Sequence, residues 1–144
     1  MPQRTLRDVI ANQTVFSAPP TATVRDAATR MAEGKVGAML VIDGERIAGI
    51  FTERDLLNRV VAKRLDPDTT TLAQVMTPDP RTVSPDRTLA HALVMMYEGC
   101  YRHVPVVEDG KPLGMVSARD ALGQELTEFE KELERRDRLT EIMM

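Results

Sequence analysis

The chain has 144 residues, 42% hydrophobic and 28% charged, the size and balance of a compact globular domain rather than a disordered chain. A net charge of -3 and a pI of about 5.4 remove any general electrostatic pull toward nucleic acid. No window approaches the roughly 18 apolar residues of a membrane span, and the one cysteine, Cys100, cannot close an internal disulfide. With no signal-peptide pattern at MPQRTLRDVI, a cytoplasmic protein without membrane contact is expected.

In chain order, Thr5-Leu6-Arg7-Asp8-Val9-Ile10 forms a short amphipathic lead-in that returns as Thr71-Leu72-Ala73-Gln74-Val75-Met76. Short strands are predicted near Val15-Phe16 and Thr82-Val83. Apolar residues at helical spacing predict helices over Thr23–Gly34 and Thr88–Gly99, each ended by a glycine suited to the left-handed position. Two buried strands follow in each half, Ala38–Ile42 with Ile47–Phe51, and Val104–Val107 with Leu113–Val116. Asp43-Gly44 and Asp109-Gly110 turn them into hairpins. Thr52 and Ser117 then open further helices, the first ending before Asp66-Pro67-Asp68. Nothing breaks the second before the terminus, which predicts a rod of about 40 Å at 1.5 Å per residue. Its Leu122, Leu126, Phe129 and Leu133 form an apolar stripe with two readings, a helix docked on its own domain or, favoured because the rod overhangs, a homodimer contact.

The halves are copies. Sliding the sequence by 65 residues lays Pro20–Leu57 over Pro85–Leu122 with 11 of 38 positions identical, where composition alone gives roughly two. The identities include Gly34/Gly99, Gly49/Gly114, Arg54/Arg119 and Asp55/Asp120. The reading is α+β, with residues 1–64 as a first repeat, 65–122 as connector and second repeat, and 123–144 as an extended C-terminal helix.

Each hairpin ends in the same element, Gly49-Ile50-Phe51-Thr52-Glu53-Arg54-Asp55 and Gly114-Met115-Val116-Ser117-Ala118-Arg119-Asp120. A strand running into a helix start presents backbone N–H groups that favour a phosphate. The glycine allows close approach, and a carboxylate one turn on can accept both hydroxyls of a ribose. The same Thr/Ser-x-x-Asp spacing also satisfies an ordinary helix cap, so residue types alone leave both readings open.

The order and duplication of these features resemble the cystathionine-beta-synthase (CBS) domain family over roughly residues 3–122. The resemblance implies two repeats packed sheet to sheet about a pseudo-two-fold axis, with clefts for adenosine nucleotides. Carried over by position, Asp55 and Asp120 would hold ribose hydroxyls, and Thr52 and Ser117 would contact ribose or phosphate. Phe16-Ser17 and Thr82-Val83 would line the base pockets. Arg102 and His103 would contact phosphate, whereas the first repeat has Gly37 and Ala38 there, so unequal sites are expected. AMP, ADP or ATP is the implied ligand, with S-adenosylmethionine, NAD or a cyclic dinucleotide as alternatives and no cofactor required. The chain then reads as a non-catalytic sensor acting on a regulated protein yet to be identified. The alternative is a structural interaction module with vacant clefts. No metal-ligand spacing, Walker A loop or nucleophile elbow is present in the sequence.

Overall fold

A computed structural model of the chain describes residues 4–143, apart from the side chain of Gln124; residues 1–3 and 144 of the expected segments lie outside the described residues. The elements in order are α1 (Leu6–Val9), β1 (Ser17–Ala18), α2 (Val24–Gly34), β2 (Ala38–Asp43), β3 (Arg46–Thr52) and α3 (Glu53–Asp55). The helix continues from α3 as a wider π-type segment, Leu56–Val61. Next come α4 (Leu72–Val75), β4 (Thr77–Pro78), α5 (Leu89–Gly99), β5 (His103–Glu108), β6 (Lys111–Ser117), a 3-10 turn at Ala118–Asp120, and α6 (Gly123–Met143).

The chain forms two units that do not coincide with its sequence halves. Among the described residues, one groups Val15–Arg81 with Asp109–Pro112; the other groups residues 4–14 with Thr82–Glu108 and residues 113–143. We call them the first-repeat and second-repeat units. The crossing is made by the lead-in segments, and the hydrogen bonds show why. In the first-repeat unit Leu72 N donates to Ala22 O, Ala73 N to Pro20 O, and Val24 N to Thr70 O. In the second-repeat unit Leu6 N donates to Arg87 O, Arg7 N to Pro85 O, and Leu89 N to Arg4 O. Each lead-in thus satisfies the backbone just before the long helix of a repeat, and each inserts one fully buried leucine, Leu72 or Leu6.

The first-repeat unit carries a four-stranded sheet in the order β1-β2-β3-β4, with β1 parallel to β2 and the other pairs antiparallel. Its core comprises Val24, Ala27, Met31, Met39, Val41, Phe51, Val60, Leu72 and Val75. The second-repeat unit has the β5-β6 pair, and Val83 bridges to Val106 in parallel where β1 has its counterpart. Leu6, Ile10, Leu89, Leu93, Met96, Val104, Val106 and Val116 belong to its core.

Two local expectations change. The left-handed residues ending α2 and α5 are Lys35 (φ 54°) and Cys100 (φ 59°), one position beyond the glycines. Gly34 and Gly99 are small for another reason: a Cβ on Gly34 would lie 3.2 Å from the Phe16 ring, and one on Gly99 would strike the Tyr101 ring at 1.9 Å. The C-terminal rod is also interrupted. Ala121 is extended (ψ 132°), which ends the 3-10 turn and lets α6 start afresh at Gly123.

That break turns α6 back along α5 rather than leaving its whole length unsupported. Phe129 packs on the core edge and meets the Tyr97 ring edge-on at 5.9 Å, while Arg136 pairs with Glu98. Leu126, Leu139, Ile142 and Met143 remain exposed. His91 on α5 has its pKa lowered, first by burial and then by Arg87 and Arg136, with Glu132 opposing.

Two outcomes follow from this packing. Leu72→Ala and Leu6→Ala should each cost about 2–5 kcal/mol. By amide exchange the first should loosen α2 and β2 and the second α5 and β5; the reverse assignment would contradict the crossing. A histidine whose folded pKa is depressed takes up a proton more readily when unfolded. Stability should therefore fall as pH drops below the ordinary value of 6.5 toward the lower folded value. His91→Gln should flatten that part of a stability-against-pH curve.

Candidate functional site

The two repeated elements fold alike at their first residue. Thr52 and Ser117 are extended (φ -123° and -129°), and each begins a turn whose third residue is the aspartate. Thr52 N donates to Asp55 Oδ2 at 3.0 Å and Asp55 N returns to Thr52 Oγ1 at 3.2 Å. Ser117 N donates to Asp120 Oδ2 at 2.8 Å. Both are capping boxes, which stabilise a helix start by roughly 0.5–2 kcal/mol. The N–H groups expected to be open to a ligand are partly spent: Glu53 N donates to Gly37 O at 3.0 Å, and Ala118 N to Arg102 O at 3.1 Å.

The glycine expectation is likewise corrected. A Cβ on Gly49 would lie 2.6 Å from Met76 Sδ and 2.8 Å from Thr77 O, and one on Gly114 would lie 2.8 Å from Gln13 Oε1 and 3.0 Å from Ile10 Cβ. The space beside each glycine holds the chain's own lead-in, so close packing explains the residue without a ligand. Gln13 goes further, accepting Met115 N at 3.0 Å and so serving as a side-chain substitute for a strand neighbour.

Beyond this common plan the sites diverge. Asp55 is only 7% exposed, and its Oδ1 faces Thr77 Oγ1 at 3.4 Å and Arg59 Nε at 3.5 Å. Arg59 also donates to Met76 O at 2.9 Å, which ties the carboxylate to the end of α4. Phe16 and Ser17 lie at the start of β1; Arg30 sits over the Phe16 ring at 5.1 Å, and its Nη1 donates to Ser17 O at 2.8 Å. The Asp55 carboxylate and the Ser17 carbonyl are therefore already engaged within the first-repeat unit.

In the second-repeat unit Asp120 is half-buried, and both of its capping contacts run through Oδ2. Arg102 is exposed and makes no ion pair among the described residues, while its carbonyl holds the first amide of the Asp120 turn. His103 opens β5 and is half-buried. Thr82 is exposed beside the buried Val83, whose N–H reaches Pro105 O at 3.0 Å. Ser117, Asp120, Arg102, His103, Thr82 and Val83 thus belong to one unit, linked through β5 and β6; Thr52, Asp55, Phe16 and Ser17 belong to the other.

Sequence reasoning missed Thr77, Arg59, Arg30 and also Arg4, whose Nη2 donates to Asp120 O at 3.0 Å. The i,i+4 spacing of Asp55 and Arg59 was a usable signal. Arg30 and Arg4 gave none, because their partners lie far off in sequence. No group of three or more His, Cys, Asp or Glu suited to a metal occurs among the described residues, and no described helix is long and apolar enough to cross a membrane.

Comparison with known proteins supports the resemblance. The CBS domain-containing protein CBSCBSPB3 of Arabidopsis thaliana is 38% identical over 117 residues, 81% of this chain; those residues are 21% of that protein, so the chain spans about a fifth of its length. The CBS domain protein PAE2072 from Pyrobaculum aerophilum, solved in complex with AMP, superposes with a TM-score of 0.78 at 30% identity, covering 89% of this chain and 98% of that one. A hexameric CBS-CP12 protein from bloom-forming cyanobacteria superposes with a TM-score of 0.76 at 26% identity, over 83% of this chain and 70% of that one. The CBS domain profile matches twice in tandem, at residues 6–62 and 72–125, and the chain belongs to the CBS domain family.

Proposed function

We propose that the chain is a non-catalytic regulatory module that binds an adenosine nucleotide through its second-repeat unit. The observation that carries this reading is the half-buried Asp120 carboxylate, joined through the Ala118–Arg102 backbone bond to an exposed arginine at the start of β5. A carboxylate acceptor suits ribose hydroxyls, and a guanidinium suits phosphate. Ser117 and His103 flank this pair, and the exposed Thr82 would present the base with its own backbone groups, since those of Val83 are held by Pro105 and Val107. The AMP bound by the Pyrobaculum relative supports the ligand class. AMP, ADP and ATP come first on that ground, ahead of S-adenosylmethionine and NAD.

The first-repeat unit favours the second reading, a structural role. Asp55 is buried and engaged by Thr52, Thr77 and Arg59, and Ser17 O is taken by Arg30. A ribose there would have to displace these bonds without a cationic side chain from Gly37 or Ala38 to favour its phosphate.

Nucleotide binding would act on a regulated protein in the cytoplasm, with the chain working as a homodimer. The exposed Leu139, Ile142 and Met143 give α6 an apolar end for such a contact, and the hexameric relative shows assembly within the family.

Titration calorimetry with AMP should give one site per chain. Asp120→Ala should weaken it roughly 10- to 150-fold, the equivalent of 1.5–3 kcal/mol for hydrogen bonds to a charged group. Asp55→Ala should leave affinity nearly unchanged and lower the melting temperature instead. Two equal sites, or an indifferent Asp120→Ala, would overturn the assignment; no heat from any adenosine ligand at millimolar concentration would leave the structural role. For assembly, light scattering on the chain ended after Arg138 should show a weakened dimer with both repeats folded. A monomer in the full chain would contradict it.

A further inference from the structure

The second-repeat unit holds a buried charged cluster that nucleotide binding does not itself use. Glu125, in the first turn of α6, is only 3% exposed. Its Oε1 accepts from Arg4 Nε at 2.5 Å, while its Oε2 is buried without a hydrogen-bond partner. The same guanidinium also reaches the candidate site: Arg4 Nη2 donates to the carbonyl of Asp120 at 3.0 Å. Arg4 is anchored in turn, because its own carbonyl accepts Leu89 N at the start of α5.

One planar cation therefore grips both the turn that presents Asp120 and the first turn of the C-terminal helix. Along the chain these are joined only by the extended Ala121 and by Leu122. A guanidinium fork holds two acceptors at a fixed separation, which an ammonium cannot reproduce. A buried carboxylate with one oxygen unmet depends on its single cation, so small shifts of that cation are felt at α6.

We propose that Arg4 and Glu125 are positioning residues for the Asp120 turn, and that nucleotide bound at that turn tightens the seat of α6 through them. The proposal rests on the nucleotide reading above. Hydroxyls held by the Asp120 carboxylate fix the turn, the fixed turn holds its carbonyl on Arg4, and Arg4 holds Glu125. Because such coupling is reciprocal, loosening Glu125 must weaken the ligand by the same factor with which the ligand tightens α6.

The test uses the full chain with AMP as probe, following amide exchange in α6 and affinity by calorimetry. In the wild type AMP should slow exchange over Glu125–Phe129. Glu125→Gln and Arg4→Lys should remove that slowing and weaken AMP at least about fivefold, the lower range of typical couplings. Lys131→Ala, an exposed change on the same helix, should do neither. AMP that binds without altering α6 exchange, or that binds both variants as it binds the wild type, would overturn the positioning role and leave the nucleotide reading standing. Absence of AMP binding to the wild type would overturn both. Should Arg4→Lys fail to fold, Glu125→Gln and the wild-type exchange response decide the matter.

Discussion

The backbone that precedes each long helix must be satisfied by a segment from the other half of the sequence, and the rest of the structure depends on this. Residues just before α2 and α5 offer carbonyls and N–H groups that their own repeat does not pair. The lead-ins at Leu72 and Leu6 pair them, and each buries a leucine completely as it does so. Backbone groups shielded from water without partners are costly, so these bonds specify which lead-in belongs to which unit. The small residues then follow. Gly49 is small because Met76 and Thr77 lie against it, and Gly114 because Ile10 and Gln13 do.

The repeated Thr/Ser-x-x-Asp element has a structural role in both copies, and the proposed nucleotide site draws on only one of them. In both copies the carboxylate closes a capping box, so the local fold alone accounts for the pattern. What separates the copies is the surroundings. Around Asp55 the lead-in end contributes Thr77, the helix contributes Arg59, and little acceptor capacity remains. The Asp120 turn is short, ends at Ala121, and leaves its carboxylate half-exposed near Arg102. The asymmetry therefore comes from how far each helix continues and from what stands at the start of β2 or β5.

Much of this was legible in the sequence, for physical reasons that also mark its limits. The 65-residue repeat, the helices at Val24–Gly34 and Leu89–Gly99, both hairpins and both caps depend on spacing within a few residues, and the structure has them. The crossing of the lead-ins was not legible, since a segment similar to two places in the sequence does not say which one it joins. The roles of Gly34 and Gly99 were misread because Phe16 and Tyr101 touch them only in three dimensions. The break at Ala121 escaped notice because neither Ala121 nor Leu122 disfavours a helix; the interruption lies where Arg4 draws the Asp120 carbonyl away. Of the candidate site, the pairing of Asp55 and Asp120 with their hydroxyl residues could be read from the motif, but whether each carboxylate was engaged further could not.

The central claim is that the Asp120 turn, and not its Asp55 counterpart, receives the nucleotide. A crystal structure of the chain grown with AMP tests it most directly. The account predicts ribose hydroxyls on the Asp120 carboxylate, phosphate beside Arg102, and Asp55 still bonded to Thr52 and Thr77. AMP seated on Asp55, with the Asp120 turn unchanged, would contradict it.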